Sequence, residues 1–121
     1  MAGTSQHPIT IEPAGVIVTV NSQGMTLAHS AAAQMLREAS YDPVLYVPRP
    51  DIDMRLLRQN SRVTRCPFKG ECCYFDLVID GQVIENVAWS YQEPFADVAE
   101  IAGHLAFYPD KAEIIAPHAS G

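Results

Sequence analysis

Asp80 and Gly81 separate two long runs of strand-forming residues, 71–79 and 82–93. An Asp-Gly pair between such runs is a strong signal for a two-residue type I′ hairpin turn. Because a two-residue loop fixes the register of its strands, the cross-strand pairing follows from the sequence. We expect these pairs: Ile79 with Gln82, Phe75 with Asn86, Tyr74 with Val87, Cys73 with Ala88 and Cys72 with Trp89. A bulge permitted by Gly70 would shift the pairing near that residue.

The two faces of this hairpin differ in character, because side chains alternate across a strand. One is a core face made of Cys73, Phe75, Leu77, Ile79, Ile84 and Ala88. The other combines aromatic, apolar and polar side chains, namely Cys72, Tyr74, Val87, Trp89 and Tyr91, with Glu93 at its end. Aromatic walls with a few polar groups are typical of small-ligand pockets, and the alternative is a second core layer.

Short elements, punctuated by nine prolines and seven glycines, fill the rest of the chain. Strands are predicted at 9–12 and 44–47, a hairpin at 16–28, and a last hairpin that joins 105–108 to 112–116. Helices are predicted at 31–39 with Ser30 as N-cap, from Asp51 to Leu57, and at 95–102 ended by Gly103. The predicted class is therefore mainly β with two or three short helices (α+β). We expect a single compact antiparallel β domain over residues 1–121, with its core at about 7–116.

Composition and charge argue against several kinds of partner. The formal charge of −6 and the pI near 5.0 disfavour a nucleic-acid backbone or an anionic membrane. No apolar run approaches the roughly 18 residues that span a bilayer, and residues 1–8 lack the features of a secretory signal. Three cysteines, an odd number with two of them adjacent, favour a reducing cytoplasm over a disulfide-stapled secreted fold.

The cysteines also do not fit a zinc site. Structural zinc typically needs two pairs of closely spaced ligands, and the spacing from Cys66 to Cys72 is wrong for one. Cys72 and Cys73 are adjacent on a strand, so they point to opposite faces. We expect neither a metal nor a cofactor, and formation of a homo-oligomer is left open.

Four residues are candidates for chemistry, each with a structural alternative. Cys66 is the best nucleophile, because Arg65 and Lys69 supply positive charge that favours a thiolate; the alternative is a small buried side chain. His104 would exchange protons near neutral pH, or would be a hydrogen-bonded structural residue. Lys69 suits an anionic ligand group, or is solvated in its turn. Glu93 is a carboxylate base or a turn residue.

Four motifs occur in order along the chain: YVPRPD at 46–51, CPFKG at 66–70, AWSYQEP at 88–94 and IAGHLAFYP at 101–109. Together they resemble the bacterial domain-of-unknown-function 427 family, sometimes labelled nucleotidyltransferase-like. The resemblance implies a mostly antiparallel β fold of the Mss4-like or β-tent type. Relatives of that fold often carry zinc on two cysteine pairs, which this chain lacks, so the zinc is not carried over. The chain also shows no paired metal-binding aspartates after a Gly-Ser step, so the label implies no mechanism.

We predict that the domain binds a small ligand, which an anionic group would suit, in an aromatic-walled pocket beside the 66–70 turn. The predicted pocket consists of walls from Tyr74, Trp89 and Tyr91, polar contacts from Lys69, Glu93 and His104, a mouth framed by Arg49 and Asp51, and Cys66 and His104 as catalytic candidates. This hypothesis requires Trp89 and His104 to lie on the same side of the domain. The alternatives are a non-enzymatic interaction or scaffold module, and a thiol-based enzyme or redox sensor using Cys66. Whether the protein is an enzyme stays open.

Overall fold

The computed structural model describes residues 8–117, which form ten strands and little helix. The strands are, in chain order, β1 Ile9–Pro13, β2 Val18–Ser22, β3 Met25–Ser30, β4 Gln34–Glu38, β5 Val44–Tyr46, β6 Leu57–Cys66, β7 Gly70–Ile79, β8 Gln82–Ser90, β9 Leu105–Phe107 and β10 Glu113–Ile115. One short 3-10 helix, Ala96–Ile101, and two single 3-10 turns, Arg49–Asp51 and Met54–Leu56, complete the elements. Within residues 8–117, none of these segments has the length and apolar character that a membrane-crossing helix requires.

The strands pair antiparallel in three sheets. The first sheet has the order β1-β4-β5, the second β10-β2-β3, and the central sheet β6-β7-β8-β9. Strand β6 is therefore an edge of the central sheet, with β7 as its neighbour. The predicted class, mainly β and antiparallel, is confirmed, whereas two or three helices are not found.

Two core clusters lie on opposite faces of the central sheet. On one face, residues of β7 pack with those of the second sheet, including Cys73, Phe75, Leu77, Val18, Val20 and Leu27. On the other face, β7 packs with the first sheet and the 3-10 helix, through Cys72, Tyr74, Leu36, Tyr46, Val98 and Ile101. Because neighbouring residues of β7 alternate between these clusters, the central sheet is covered on both sides. The first face is chiefly aliphatic, and the second is rich in tyrosine.

The β7–β8 hairpin turns at Asp80 and Gly81 as predicted, both with positive φ of 49° and 79°. The pairing beyond Leu77 differs from the prediction, because the bulge falls near Asn86 and not near Gly70. The observed pairs are Phe75 with Ala88, Tyr74 with Trp89 and Cys73 with Ser90. This shift of two residues preserves parity, so Tyr74 and Trp89 still share a face. Val87, expected on the aromatic face, instead packs in the aliphatic cluster beside Ala88.

The bulge is held by a buried carboxylate on the central strand β7. Asp76 Oδ1 accepts hydrogen bonds from Asn60 Nδ2 at 2.7 Å and from the Asn86 backbone N–H at 3.0 Å. Asn60 Nδ2 also donates to Asn86 Oδ1 at 2.8 Å. The pairing of β6 with β7 is interrupted between Gln59 and Val63, at the same level of the sheet. One carboxylate thus fixes irregularities in both strands that flank β7.

The predicted helix at 31–39 is wrong, because residues 34–38 form strand β4 in the middle of the first sheet. Its residues are good helix formers, but pairing with β1 and β5 on either side outweighs that weak preference. Leu36 is buried by this pairing. Ser30 does not cap a helix; its hydroxyl accepts the N–H of Ala32 at 3.0 Å and donates to Asp51 Oδ2 at 2.6 Å. This is local turn chemistry of the kind that competes with helix capping.

Of the other predicted elements, some are confirmed and some are wrong. The strands near 9–12 and 44–47 and the first hairpin are confirmed. The last hairpin is wrong: β9 pairs with β8 in the central sheet, whereas β10 pairs with β2 in the second sheet. The segments after Asp51 and Phe95 take 3-10 geometry only, and Asp53 rather than Asp51 caps the turn at 54–56. Of the residues that follow the predicted core at about 7–116, those at 118–121 lie outside the described residues.

Candidate functional site

A cavity of about 230 Å³ lies between the central sheet and the first sheet. We call it the aromatic cavity, and its lining residues are Leu36, Glu38, Val44, Tyr46, Lys69, Cys72, Tyr74, Trp89, Tyr91 and Tyr108. Strand alternation explains the lining, since Cys72, Tyr74 and Trp89 project from the same face of the central sheet. The first sheet closes the cavity with side chains from β4 and β5.

Trp89 contacts two of the tyrosines that line the aromatic cavity. Its ring meets Tyr46 edge to face, with centroids 6.3 Å apart and planes at 88°. It also packs against Tyr108 with centroids 4.5 Å apart. The indole Nε1 donates to the Tyr46 hydroxyl at 3.2 Å. The Tyr74 hydroxyl shares a hydrogen bond with Thr64 Oγ1 at 2.7 Å, so each of these rings is held in place by a partner.

Lys69 and Glu38 form a shielded ion pair at one end of the aromatic cavity. Their side chains are only 9% and 15% exposed, so Lys69 is not the solvated turn residue that is usual for lysine. The Lys69 ammonium also lies 5.8 Å from the Tyr91 ring centroid. The backbone beside Lys69 requires glycine, because Gly70 has a φ of 116°, a conformation that residues with a side chain rarely adopt. The Lys69 carbonyl is held by the N–H of Phe95 at 3.0 Å.

Burial favours the neutral forms of four other titratable groups of the cavity: Tyr46, Cys72, Tyr91 and Tyr108. Burial raises the pKa of the Tyr46 and Tyr91 phenols well above the usual range. Burial is also the main cause that raises the pKa of Tyr108 and of the Cys72 thiol. The phenols and the thiol are therefore uncharged hydrogen-bonding groups near neutral pH. With Lys69 and Glu38 opposing each other, the formal charge of the lining is zero.

Four of the predicted ligand-binding residues line this cavity: Lys69, Tyr74, Trp89 and Tyr91. Sequence reasoning missed Glu38, because it was assigned to a helix, and Tyr46, which lies in the YVPRPD motif. Cys72 was placed on the correct face but was not assigned to the pocket. Tyr108 was also missed; it shares strand parity with Ala106, the residue that pairs with Trp89, and this alternation is the signal that could have found it.

Three other predicted residues lie elsewhere. Cys66 is half-buried at the head of the β6–β7 hairpin and packs against the tyrosine-rich cluster, but it is not part of the cavity lining. His104 is also not in the lining; its Nδ1 lies 3.1 Å from the Ala102 carbonyl oxygen. Glu93 is exposed and lines a separate depression of about 460 Å³ with Val63 and Phe95. The catalytic roles of Cys66 and His104 stay predictions.

Arg49 and Asp51 do not line the aromatic cavity. The Arg49 guanidinium lies 5.3 Å from the ring centroid of Phe75, which belongs to the aliphatic face of the central sheet. Its Nε donates to the Gly103 carbonyl at 3.0 Å. Asp51 accepts a hydrogen bond from Ser30. Arg49 and Asp51 therefore contact other parts of the fold and do not frame the mouth of this cavity.

The cysteines are all free thiols, and Cys72 and Cys73 belong to different core clusters. This confirms that they point to opposite faces of β7. Within residues 8–117, no three side chains of His, Cys, Asp or Glu come together as a metal-binding group.

The fold and the cavity define a small antiparallel β domain with an aromatic cavity between two of its sheets. The chain belongs to the family described as a domain of unknown function, DUF427, also labelled NTP_transf_9, whose profile matches residues 10–117. The family resemblance carried by the four motifs is thereby confirmed. No curated protein matches the chain significantly.

Proposed function

We propose that this domain binds a small planar molecule in the aromatic cavity. The observation that carries the proposal is the convergence of Trp89, four tyrosines and a shielded lysine–carboxylate pair on one unfilled space. Cavities with aromatic walls and a few placed polar groups are typical ligand sites. A domain that used these residues only for packing would be expected to fill such a space, because interiors are close-packed.

Size and charge limit the ligand. A volume of about 230 Å³ corresponds to roughly eight waters at ~30 Å³ each, which suits a single ring system with small substituents. The neutral phenols and the indole offer hydrogen bonds and ring faces rather than charge. An anionic group placed beside Lys69 would also approach Glu38, so the part of the ligand inside this cavity is neutral.

The other cavities suit this role less well. One of them, of about 700 Å³, lies between the β2–β3 turn and residues 109–113, and turn residues form most of its lining. It contains no aromatic side chain. The depression beside Glu93 has Phe95 as its single ring, and that side chain is 44% exposed.

Trp89 is the only tryptophan of the chain, so its emission reports on the cavity directly. A collection of small aromatic compounds, from phenol and indole to purine bases, is titrated against the full chain while Trp89 fluorescence is recorded. At least one compound is expected to change the emission saturably. Cys72→Leu, which fills part of the cavity, should abolish that change. Cys66→Leu, outside the lining, is the matched control. Equal binding to wild type and Cys72→Leu, or no response to any compound, would overturn the proposal.

A protein-interaction module is the second candidate function. Val63 and Phe95, which are 55% and 44% exposed, line the same depression beside Glu93. Exposed apolar side chains grouped in this way mark contact surfaces in some proteins. Val63→Ser with Phe95→Ser would abolish such an interaction without affecting the aromatic cavity, and co-purification of the full chain with a partner would test it.

The cellular setting and fold type are proposals as well. Three free thiols fit a reducing compartment, and we propose a cytoplasmic location. Bacterial origin and the Mss4-like or β-tent type are what the family resemblance implies.

A further inference from the structure

We propose that Arg62 and Lys111 form a second subsite, which binds an anionic group of the same ligand. This inference rests on the proposed function and names the class of ligand. A cavity of about 200 Å³ adjoins the aromatic cavity and is lined by Arg62, Tyr74, Asn86, Tyr108, Asp110 and Lys111. Tyr74 and Tyr108 belong to the linings of both cavities, so they are the boundary between the two.

Each cation of this subsite lies over one of the boundary tyrosines. The Arg62 guanidinium carbon is 4.7 Å from the Tyr74 ring centroid, and Lys111 Nζ is 5.9 Å from that of Tyr108. Stacking occupies a flat face of the guanidinium, and its five N–H donors lie in the plane around the edge. That edge has the geometry that binds carboxylate or phosphate oxygens in pairs.

Lys111 is anchored by backbone rather than by a carboxylate. Its ammonium donates to the Glu85 carbonyl at 2.7 Å and lies 3.5 Å from the Asn86 carbonyl oxygen. An ammonium has three donors, so the anchoring leaves capacity for a ligand oxygen. Because backbone carbonyls carry no full charge, the positive charge of Lys111 is not cancelled by them.

The two cavities differ in formal charge. The charges of Lys69 and Glu38 cancel in the aromatic cavity. In the second cavity, Arg62, Lys111 and Asp110 together give a formal charge of plus one. An anionic group is therefore attracted to the second cavity and not to Lys69. The net charge of −6 disfavours a long polyanion, which leaves a small molecule as the source of the anion.

The irregular strands position these cations. Arg62 lies within the interrupted pairing of β6, and its N–H donates to Asn60 Oδ1 at 2.8 Å. The amide of Asn60 is fixed in turn by Asp76 and Asn86. The carbonyl of Asn86 approaches Lys111. Bulges re-aim side chains beside functional sites, and here two of them meet at one cavity. Asp76, Asn60 and Asn86 are positioning residues in this scheme.

The inferred ligand is therefore a planar ring that occupies the aromatic cavity and carries a carboxylate or phosphate. The experiment compares phenyl phosphate, benzoate and phenol, titrated into the full chain with NMR detection of the Trp89 indole and the Arg62 side chain. We expect phenyl phosphate or benzoate to bind at least about fivefold more tightly than phenol, since hydrogen bonds to charged groups are the stronger ones. Arg62→Gln should reduce this advantage to less than about twofold. Arg58→Gln, which alters an exposed arginine of the same strand outside the cavity, should preserve it.

The outcomes separate this inference from the proposed function. If all three compounds shift Trp89 and bind equally, the anionic subsite is overturned while the proposed function stands. If the advantage of the anions survives in Arg62→Gln and also in Lys111→Gln, the residues assigned here are wrong. If none of the compounds, nor any other small aromatic compound, shifts Trp89, the proposed function fails and this inference fails with it. A preference for phenyl phosphate over benzoate, or the reverse, identifies the anionic group.

Discussion

Trp89 donates a hydrogen bond to the hydroxyl of Tyr46 at 3.2 Å, and the two rings meet edge to face. Trp89 lies on β8 of the central sheet, and Tyr46 ends β5 of the first sheet. The bond therefore joins two sheets across the wall of the aromatic cavity. Since burial raises the pKa of the Tyr46 phenol, its oxygen remains a neutral acceptor near neutral pH.

Tyr46→Phe should lower the free energy of unfolding by about 1–2 kcal/mol, because it leaves the half-buried indole N–H without its acceptor. Chemical denaturation followed by Trp89 fluorescence measures the change. Tyr41→Phe is the matched control, since Tyr41 is 69% exposed and should contribute almost nothing. Equal stability of Tyr46→Phe and wild type would show that the bond does not stabilise the sheet contact.

Stability should fall as the pH rises above about 9. The ordinary pKa is 9.0 for the Cys72 thiol and 10.0 for the Tyr46 phenol, and burial raises both in the folded protein. Below those values both states keep the proton, so the full contribution is present. Above them the unfolded chain ionises while the folded chain does not, at up to about 1.4 kcal/mol per pH unit for each group. Denaturation at several pH values measures the slope, and Tyr46→Phe with Cys72→Ala should reduce it to the part that Tyr91 and Tyr108 contribute.

Replacing one partner of the Lys69–Glu38 pair should lower the free energy of unfolding more than replacing both partners. Lys69→Met leaves a shielded carboxylate without its cation, and we expect a loss of about 2–4 kcal/mol. Adding Glu38→Gln should recover part of this loss, because no unpaired charge then remains. The exposed pair Arg37–Glu12 is the control, and Arg37→Gln should cost less than about 1 kcal/mol. Strict additivity of the Lys69 and Glu38 effects would contradict the interaction.

Asn86 should tolerate glycine better than alanine. Its φ is 53°, and its side chain accepts a hydrogen bond from Asn60. Asn86→Ala adds left-handed strain of about 1–2 kcal/mol to the lost hydrogen bond, whereas Asn86→Gly removes the bond alone. Gln23 has the same φ in the β2–β3 turn, outside this network, and Gln23→Gly should be neutral or stabilising. Thermal unfolding ranks the variants, and an alanine variant as stable as the glycine variant would contradict the strain.

Native thiol labelling should proceed in two stages. Cys66 is half-buried, whereas Cys72 and Cys73 are buried. Iodoacetamide followed by peptide mass spectrometry should therefore modify Cys66 first and the other two only on unfolding. Cys66→Ser should remove the early stage. Modification of Cys72 at the rate of Cys66 would show that the aromatic cavity opens readily to solvent.

The sequence was sufficient where local rules decide the structure. Asp80-Gly81 specified a turn, and strand alternation placed Tyr74 and Trp89 on one face despite the bulge, because a shift of two residues preserves parity. Three of the predicted cavity residues, Tyr74, Trp89 and Tyr91, followed from that face alone. The sequence allowed a bulge near Gly70 because glycine permits one, whereas a long-range hydrogen-bond network places the observed bulge at Asn86.

The rest depended on contacts between distant parts of the chain. Residues 34–38 have helical propensity, and only their position between β1 and β5 makes them a strand that delivers Glu38 to Lys69. Strands β9 and β10 are close in sequence but join different sheets, which no local pattern signals. Arg49 and His104 were expected around the pocket because of their motifs. Their side chains form hydrogen bonds with backbone carbonyls instead.

The edge position of β6 has a consequence for how copies of this protein meet. Arg58, Arg62 and Arg65 are all exposed along this strand, and its pairing is broken at 60–62. Two molecules approaching strand to strand through β6 would bring like charges together along an uneven border. We therefore expect this strand edge to resist the continuous sheet growth that produces aggregates. Arg62, which we assign to ligand recognition, would contribute to this repulsion.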